Sequence, residues 1–150
     1  MTSFEDCTIR VRYADTDQMG VVYYANYLVY FEVGRTEFCR RRRIAYSQIE
    51  KQTDSYLIVA EARCRYRRPL RYDQQVIVRT FLQEFRKRTM TFAYQLIDPD
   101  SGVLFAEGET VHVVTDRQGR PKSFPEEYRS KLLTPEEDTT RRDSQEVRID

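Results

Sequence analysis

Residues 24–43 read YANYLVYFEVGRTEFCRRRR, and this stretch decides the fold. One stripe of a helix at this spacing is apolar: Tyr27, Leu28, Phe31, Gly34 and Phe38. Four more apolar side chains extend that surface almost all round its first turns: Tyr24, Val29, Tyr30 and Val33. A helix that is apolar on most sides is normally buried. The arginines at 40–43 suit the negative end of a helix. We therefore predict one long buried helix.

Alternating segments surround this helix. Residues 8–13 alternate with Ile9, Val11 and Tyr13 on one side, which is typical of a half-buried strand. Four more alternating segments follow at 56–68, 75–85, 88–97 and 103–115, and short helices are indicated at 44–51 and 124–133. Short turns between sequential strands predict an antiparallel sheet. The fold class is α+β, with five strands wrapping the helix.

Length and composition favour one domain. A chain of 150 residues is long enough to bury a substantial core. Residues 1–133 are predicted to form this domain, and residues 134–150, almost wholly polar, a disordered tail. One helix cannot cover both faces of a five-stranded sheet, and such a sheet leaves two edges open. We therefore expect a homodimer or a larger assembly.

Charge and cysteine content exclude several classes of function. Lys and Arg number 25 and Asp and Glu 24, so net charge gives no case for nucleic-acid binding. Three widely spaced cysteines and a single His provide no zinc quartet and favour a reducing compartment. No apolar run approaches the ~18 residues of a membrane span, and the N-terminus resembles no signal peptide. A cytoplasmic protein is expected.

The chemistry is predicted in the loop that precedes the buried helix. This loop carries Asp15 and Asp17 and leads to a helix N-terminus, whose unpaired N–H groups can stabilise an oxyanion. A carboxylate beside such donors can act as a base or a nucleophile. Two alternatives remain at this point. Both aspartates could be ordinary turn or cap residues, or they could belong to a metal site that needs further oxygen ligands.

Residues 15–27, DTDQMGVVYYANY, resemble the signature of hotdog-fold acyl-CoA thioesterases of the 4-hydroxybenzoyl-CoA thioesterase family, YbgC-like branch. The resemblance extends from about Thr8 to Phe124 and includes the turn with Asp116, Gly119 and Pro121. It implies a helix wrapped by a curved sheet, paired into dimers that often associate into tetramers. It also implies hydrolysis of an acyl-CoA thioester, with acyl carrier protein thioesters as an alternative, and no metal or other cofactor.

The same resemblance implies individual roles. Asp17 is the implied catalytic carboxylate, as general base or as nucleophile, and the backbone N–H of Tyr24 is the implied oxyanion donor. Asn26 and Tyr27 have structural roles, at the helix start and in the core. Glu32 and Glu37 are alternative carboxylates on the helix. A non-catalytic acyl-thioester or lipid-binding module on the same scaffold is the alternative function.

Basic residues provide a candidate phosphate site. Related thioesterases place basic residues near Arg86 and Arg88 against the CoA phosphates, and arginine forks match phosphate oxygens. The alternative is a solvated sheet edge. His112, alone in a strand, is expected to be structural, and no catalytic His lies near the loop or helix. This absence argues against dehydratase chemistry.

Overall fold

The structure, a computed structural model, describes residues 3–135, 146, 147 and 149. A 3-10 turn at Tyr13–Asp15 lies between the first strand and the long helix. The elements in chain order are β1 (Phe4–Arg10), α1 (Asn26–Arg41), α2 (Tyr46–Thr53), β2 (Tyr56–Tyr66), β3 (Gln75–Phe85), β4 (Thr89–Ile97), β5 (Leu104–Thr115), α3 (Glu126–Leu133) and β6 (Glu146–Val147).

The strands form one sheet in the order β2-β5-β4-β3-β1-β6. Strands β1 to β5 pair antiparallel with one another, which confirms the predicted α+β class and its five-stranded antiparallel sheet. Register shifts between Val59 and Glu61 of β2, and between Leu82 and Glu84 of β3, interrupt the ladders. Such irregularities bend strands. They suit a sheet that wraps a helix.

Helix α1 is the buried helix that the sequence predicts. Phe31 stacks on Tyr94 of β4 with ring centroids 4.4 Å apart, and Tyr27 lies edge-on to Tyr66 of β2 at 4.8 Å. The helix starts at Asn26 rather than at 24, and Leu28 is exposed rather than on the buried stripe. The side chains that α1 buries are Tyr27, Tyr30, Phe31, Phe38 and Cys39.

Strand β1 differs from its prediction. It ends at Arg10, and Tyr13, expected to face the core with Ile9 and Val11, is 79% exposed. The cause is local. The backbone N–H of Arg12 donates to the Asp15 carboxylate at 3.1 Å, which turns the chain out of the strand before residue 13.

The prediction of a disordered tail falls mostly on residues outside the described part of the chain. Residues 136–145, 148 and 150, predicted to be disordered, lie outside the described residues. Within the described part, Glu146 and Val147 pair parallel with Thr8 and Ile9 of β1. Val147 and Ile149 pack against the core. The pattern of two apolar residues among charged ones was too short to predict a strand.

His112 has the structural surroundings expected of it. It is fully buried in β5, and its Nε2 lies 2.8 Å from the Thr110 hydroxyl. Burial, with Arg35 nearby, lowers the pKa of His112 to about 4. The ring is therefore neutral at neutral pH.

Among the helices that the structure describes, none is long and apolar enough to cross a membrane.

Gly34 sets how closely α1 approaches the sheet. A methyl group built on it would lie 2.5 Å from both the Thr80 hydroxyl and a Val78 methyl on β3. No other side chain fits there without moving the helix or the strand. The absence of a side chain at residue 34 is therefore a packing requirement.

Replacing Gly34 with Ala should destabilise the protein, although Ala favours helix more than Gly does. Overpacking of this kind costs about 1–3 kcal/mol. Thermal and urea denaturation should show a lower midpoint for Gly34→Ala. The exposed Glu32→Ala on the same helix should show little change. An unchanged midpoint for Gly34→Ala would contradict the close approach.

Candidate active site

The predicted catalytic loop folds as a tight hairpin. The Asp17 N–H donates to the Val21 carbonyl at 2.9 Å, and the Gly20 N–H donates to the Asp17 carbonyl at 3.0 Å. Gly20 has a φ of +75°, which side-chain-bearing residues rarely adopt. This arrangement is a turn followed by a left-handed glycine, a common hairpin connection. It fixes the backbone that carries Asp17.

The Asp17 side chain is half-buried at the tip of this hairpin. One carboxylate oxygen accepts the Met19 N–H at 2.8 Å. Its charge also acts on Tyr23: a hydrogen bond with Tyr24 raises the pKa of Tyr23, and the nearby Asp17 carboxylate adds to that rise. The hairpin that carries this carboxylate leads directly into the segment that starts α1, because Thr16 bridges Val22 and the Tyr23 N–H donates to the Asp15 carbonyl at 2.9 Å.

The start of α1 presents backbone donors. Within the described part of the chain, the N–H groups of Tyr24 and Ala25 donate to no acceptor, and no side chain caps the helix. These groups lie at the positive end of the helix dipole. Donors of this kind bind anions and stabilise developing negative charge on oxygen.

Asp15, in contrast, is buried, with 3% of its surface exposed. Its carboxylate accepts hydrogen bonds from Arg12 and from the Tyr30 hydroxyl. Burial alone would raise the pKa of Asp15, but the bonds from Arg12 and Tyr30 outweigh it and lower the pKa. Asp15 is therefore a structural carboxylate, one of the alternatives that its sequence position allowed. Arg12 and Tyr30 were not predicted as its partners.

Comparison with known proteins agrees with this geometry. Residues 11–132 match the thioesterase-like superfamily. The chain belongs to this superfamily. It is 35% identical over 123 residues to the putative acyl-CoA thioesterase YneP of Bacillus subtilis, covering 79% of this chain and 88% of that protein. It is 27% identical over 118 residues to the acyl-CoA thioester hydrolase YbgC of Escherichia coli O6:H1, covering 78% and 87%.

The structural comparison gives the same result. The crystal structure of hypothetical protein TT1821 from Thermus thermophilus superposes with a TM-score of 0.80 at 37% identity, covering 86% of this chain and 98% of that one. The resemblance stated from residues 15–27 is thereby confirmed, as is the prediction of a thioesterase enzyme. This thioesterase has the hotdog fold of the YbgC-like branch.

Exposed aromatic side chains surround the hairpin of the thioesterase. Tyr24 is 62% exposed, and the Tyr13 and Tyr72 rings lie edge-on with centroids 5.7 Å apart. The Tyr66 hydroxyl of β2 donates to the Tyr24 carbonyl at 2.9 Å and so joins the start of α1 to the sheet. An exposed apolar surface beside a carboxylate suits an apolar ligand or a second protein surface.

The other predicted carboxylates lie elsewhere on α1. Glu32 is exposed, and Glu37 forms an ion pair with Arg40. Neither contacts the hairpin of the thioesterase. The geometry does not favour the metal site that the two aspartates could have formed, because the Asp15 oxygens already accept bonds from Arg12 and Tyr30. No group of three potential metal ligands occurs among the described residues.

The predicted phosphate ligands, Arg86 and Arg88, lie on the connection from β3 to β4. Arg86 donates to Glu84 at 2.6 Å. Strand β3 has 11 residues, so its two ends are about 33 Å apart. The hairpin that carries Asp17 lies near the first end, where Val22 bonds Leu70, and the arginines follow the second. One subunit does not bring Arg86 and Asp17 together.

The turn at Asp17 has a close structural copy. The Asp116 N–H donates to the Arg120 carbonyl at 2.9 Å, and the Gly119 N–H donates to the Asp116 carbonyl at 3.0 Å. The Asp116 carboxylate accepts the Gln118 N–H at 2.9 Å, and Gly119 has a φ of +83°. The thioesterase therefore contains a matched control for mutations of the hairpin that carries Asp17.

Gly20→Ala should lower thioesterase activity by straining the backbone that carries Asp17. No atom lies within 4 Å of the added methyl, so the strain comes from the backbone alone, about 1 kcal/mol. We expect turnover to fall several-fold. Gly119→Ala, with the same φ region and the same open space, should lose similar stability and keep its turnover. Equal turnover in both variants would contradict a role for the hairpin.

Proposed function

We propose that this chain hydrolyses acyl-CoA thioesters to a carboxylic acid and CoA, with Asp17 as the catalytic carboxylate. The observation that carries the proposal is the meeting of two groups. A half-buried carboxylate is fixed on a tight hairpin, and that hairpin adjoins a helix start with unpaired N–H groups. Acyl transfer requires both a base or nucleophile and an oxyanion donor.

The reaction follows from this pair of groups. The thioester carbonyl oxygen accepts the Tyr24 N–H, and its developing charge is stabilised by the helix dipole. Asp17 then acts in one of two ways. As a general base it takes a proton from water, which attacks the carbonyl carbon; the tetrahedral intermediate then breaks its C–S bond, and the departing CoA thiolate takes up that proton. As a nucleophile it attacks that carbon, expels the thiolate and forms a mixed anhydride, which water cleaves. Neither route requires a metal or another cofactor.

A second copy of the chain is part of the proposal. Strand β2 ends the sheet, and its far side has no partner among the described strands. Ile58, Val59 and Tyr66 on this strand are exposed. An open strand edge with apolar side chains favours pairing with another strand. We propose a homodimer in which two β2 strands pair antiparallel, and a dimer of dimers as the larger assembly.

This dimer would supply the phosphate site. Arg88 precedes Thr89, which pairs with Val113, and Val113 pairs with Ile58 near the start of β2. Tyr66, at the other end of β2, bonds the Tyr24 carbonyl. Antiparallel pairing would set the start of one β2 beside the end of the other. The arginines of one copy would then lie about 15 Å from the Asp17 site of the other. CoA, with phosphates far from its thioester, suits that separation.

Two finer assignments complete the proposal. Acyl carrier protein thioesters share the reactive bond and form the second substrate class to assay. We place the enzyme in the cytoplasm, since Cys7, Cys39 and Cys64 are all free thiols. The alternative function, a non-catalytic acyl-thioester or lipid-binding module, would bind acyl-CoA without turnover.

Asp17→Asn should abolish most turnover while preserving the fold. The amide keeps the size of the side chain and its bond to Met19, but it neither accepts a proton nor attacks a carbonyl. General base catalysis contributes ~100- to 10,000-fold, so kcat should fall by that factor or more. The measurement is release of CoA thiol from a panel of acyl-CoAs, with circular dichroism as the test of folding.

Asp116→Asn is the matched control, since it alters the same turn, together with an ion pair to Arg120, at the end of β5. Its turnover should remain close to wild type. Near-wild-type turnover of Asp17→Asn on the best substrate would refute the assignment of Asp17. Binding without turnover by the wild-type protein would support the non-catalytic alternative instead.

Replacing both Arg86 and Arg88 with Ala should raise KM for acyl-CoA and weaken its dependence on salt. The reason is that ionic contacts with phosphate are screened by salt. The value of kcat should change little if binding is uniform. Arg40→Ala with Arg120→Ala removes the same charge from exposed ion pairs with Glu37 and Asp116, away from β2, and serves as control. Equal KM and salt response in both double variants would mean that the phosphate site lies elsewhere.

A further inference from the structure

We propose that Asp15 is a positioning residue for the reaction: it holds Asp17 at a fixed place relative to the start of α1. This inference rests on the proposed function, because it gives Asp15 a purpose only if Asp17 and the helix amides act together. The two aspartates are two residues apart, yet their surroundings differ completely. Asp17 is half-buried at a turn, and Asp15 is buried in a network.

The Asp15 carboxylate accepts hydrogen bonds from Arg12, which lies just after the end of β1. One oxygen accepts Arg12 Nε at 3.2 Å and Nη2 at 2.9 Å. The other accepts the Arg12 backbone N–H at 3.1 Å. Arginine with carboxylate is a strong and geometrically specific pair. These bonds fix the chain where it leaves the sheet and enters the loop.

The same carboxylate is bound from the side of the helix. The Tyr30 hydroxyl, in the second turn of α1, donates to it at 2.9 Å in a buried position. The Asp15 carbonyl accepts two further bonds, from the Tyr23 N–H and from the Asn26 amide, each at 2.9 Å. One residue therefore ties the end of β1 to both the first and the second turn of α1.

Tyr30 and Arg12 are themselves held in the states that this hydrogen-bond network requires. Burial raises the pKa of Tyr30, with Asp15 adding to that rise, so the hydroxyl keeps its proton and remains a donor. Arg12 Nη1 also donates to the Ile149 carbonyl at 2.8 Å, so the segment after β6 holds the arginine from its other side. The hydrogen bonds therefore form a connected set from the C-terminal segment through Arg12 to α1.

The consequence for catalysis is geometric. Asp17 and the Tyr24 N–H must act on one carbonyl group, and a misplacement of 1 Å can cost about 100-fold in rate. The chain between them, residues 18–23, is a hairpin that could move as a unit if its base were loose. Asp15 and Tyr23 form that base. Loosening it should impair the chemical step more than the binding of substrate.

The test uses Asp15→Asn and Tyr30→Phe, each with a matched control. Asp6→Asn breaks a two-pronged bond with Arg79 on β1 and β3, both contacts being 2.9 Å. Tyr94→Phe removes a buried hydroxyl that bonds Thr110. The measurements are kcat, KM, the pH profile of kcat and the melting temperature, taken on the full chain well below every melting point.

We expect kcat to fall about 10- to 100-fold in Asp15→Asn and by a smaller factor in Tyr30→Phe, with KM within about 2-fold. The controls should lose comparable melting temperature but keep kcat. The acid limb of the pH profile should persist in Asp15→Asn, because Asp17 remains. In the double variant, the fold-loss of kcat should be smaller than the product of the two single losses, because both substitutions weaken the same hydrogen-bond network.

Three results would overturn the inference. A wild-type kcat in Asp15→Asn would show that Asp15 has no positioning role. Equal loss of kcat in the controls would reduce it to general stability. Loss of the acid limb in Asp15→Asn would make Asp15 the catalytic group itself. Near-wild-type turnover of Asp17→Asn is a different outcome, which overturns the proposed function, and it is read from a separate variant.

Discussion

The close contact of α1 with the sheet determines where every part of the site lies. At Gly34 there is no space between the helix and β3 for a side chain. Phe31, three residues before Gly34 in the helix, stacks on Tyr94 of β4. These contacts fix both the height and the rotation of α1. The helix begins eight residues before Gly34, so its first turn is set about 12 Å along its axis from the closest contact. The core therefore determines the position of the helix amides.

The site needs polar contacts that the apolar core cannot supply. A packed helix fixes its own amides, but the carboxylate that we propose to work with them comes from a different segment. The hydrogen bonds of Asp15 join those two segments, and they are buried, where water competes least for them. The Asp17 carboxylate accepts the Met19 N–H within its own turn, and its other oxygen makes no hydrogen bond to another described residue. Rigidity and reactivity are thus divided between two aspartates of one short loop.

Sequence predicted the parts of this structure that depend on periodic burial. Alternation gave the five antiparallel strands, and the apolar stripe gave α1, because burial repeats along both elements. It failed where a single contact overrides periodicity. Tyr13 alternates correctly with Ile9 and Val11, yet the bond between Arg12 and Asp15 ends the strand first. Strand β6 is two residues long and depends on β1, which is distant in sequence. The side chains that bond Asp15 are Arg12, just after β1, and Tyr30 on α1, and no periodic pattern in the sequence pairs them.

The paired turns at Asp17 and Asp116 show how little of a reactive group is encoded in its own loop. Both consist of an aspartate, two residues that differ between the turns and a left-handed glycine, and the three hydrogen bonds that they share match to within 0.1 Å. A search for this turn would return both and could not rank them. What differs is the surroundings of the carboxylate: a nearby helix start at Asp17, and bonds from the backbone and side chain of Arg120 at Asp116. Transplanting residues 17–20 to another hairpin would reproduce a conformation without a reaction. Designs of new hydrolytic centres on this fold should therefore choose the helix end first and the loop second.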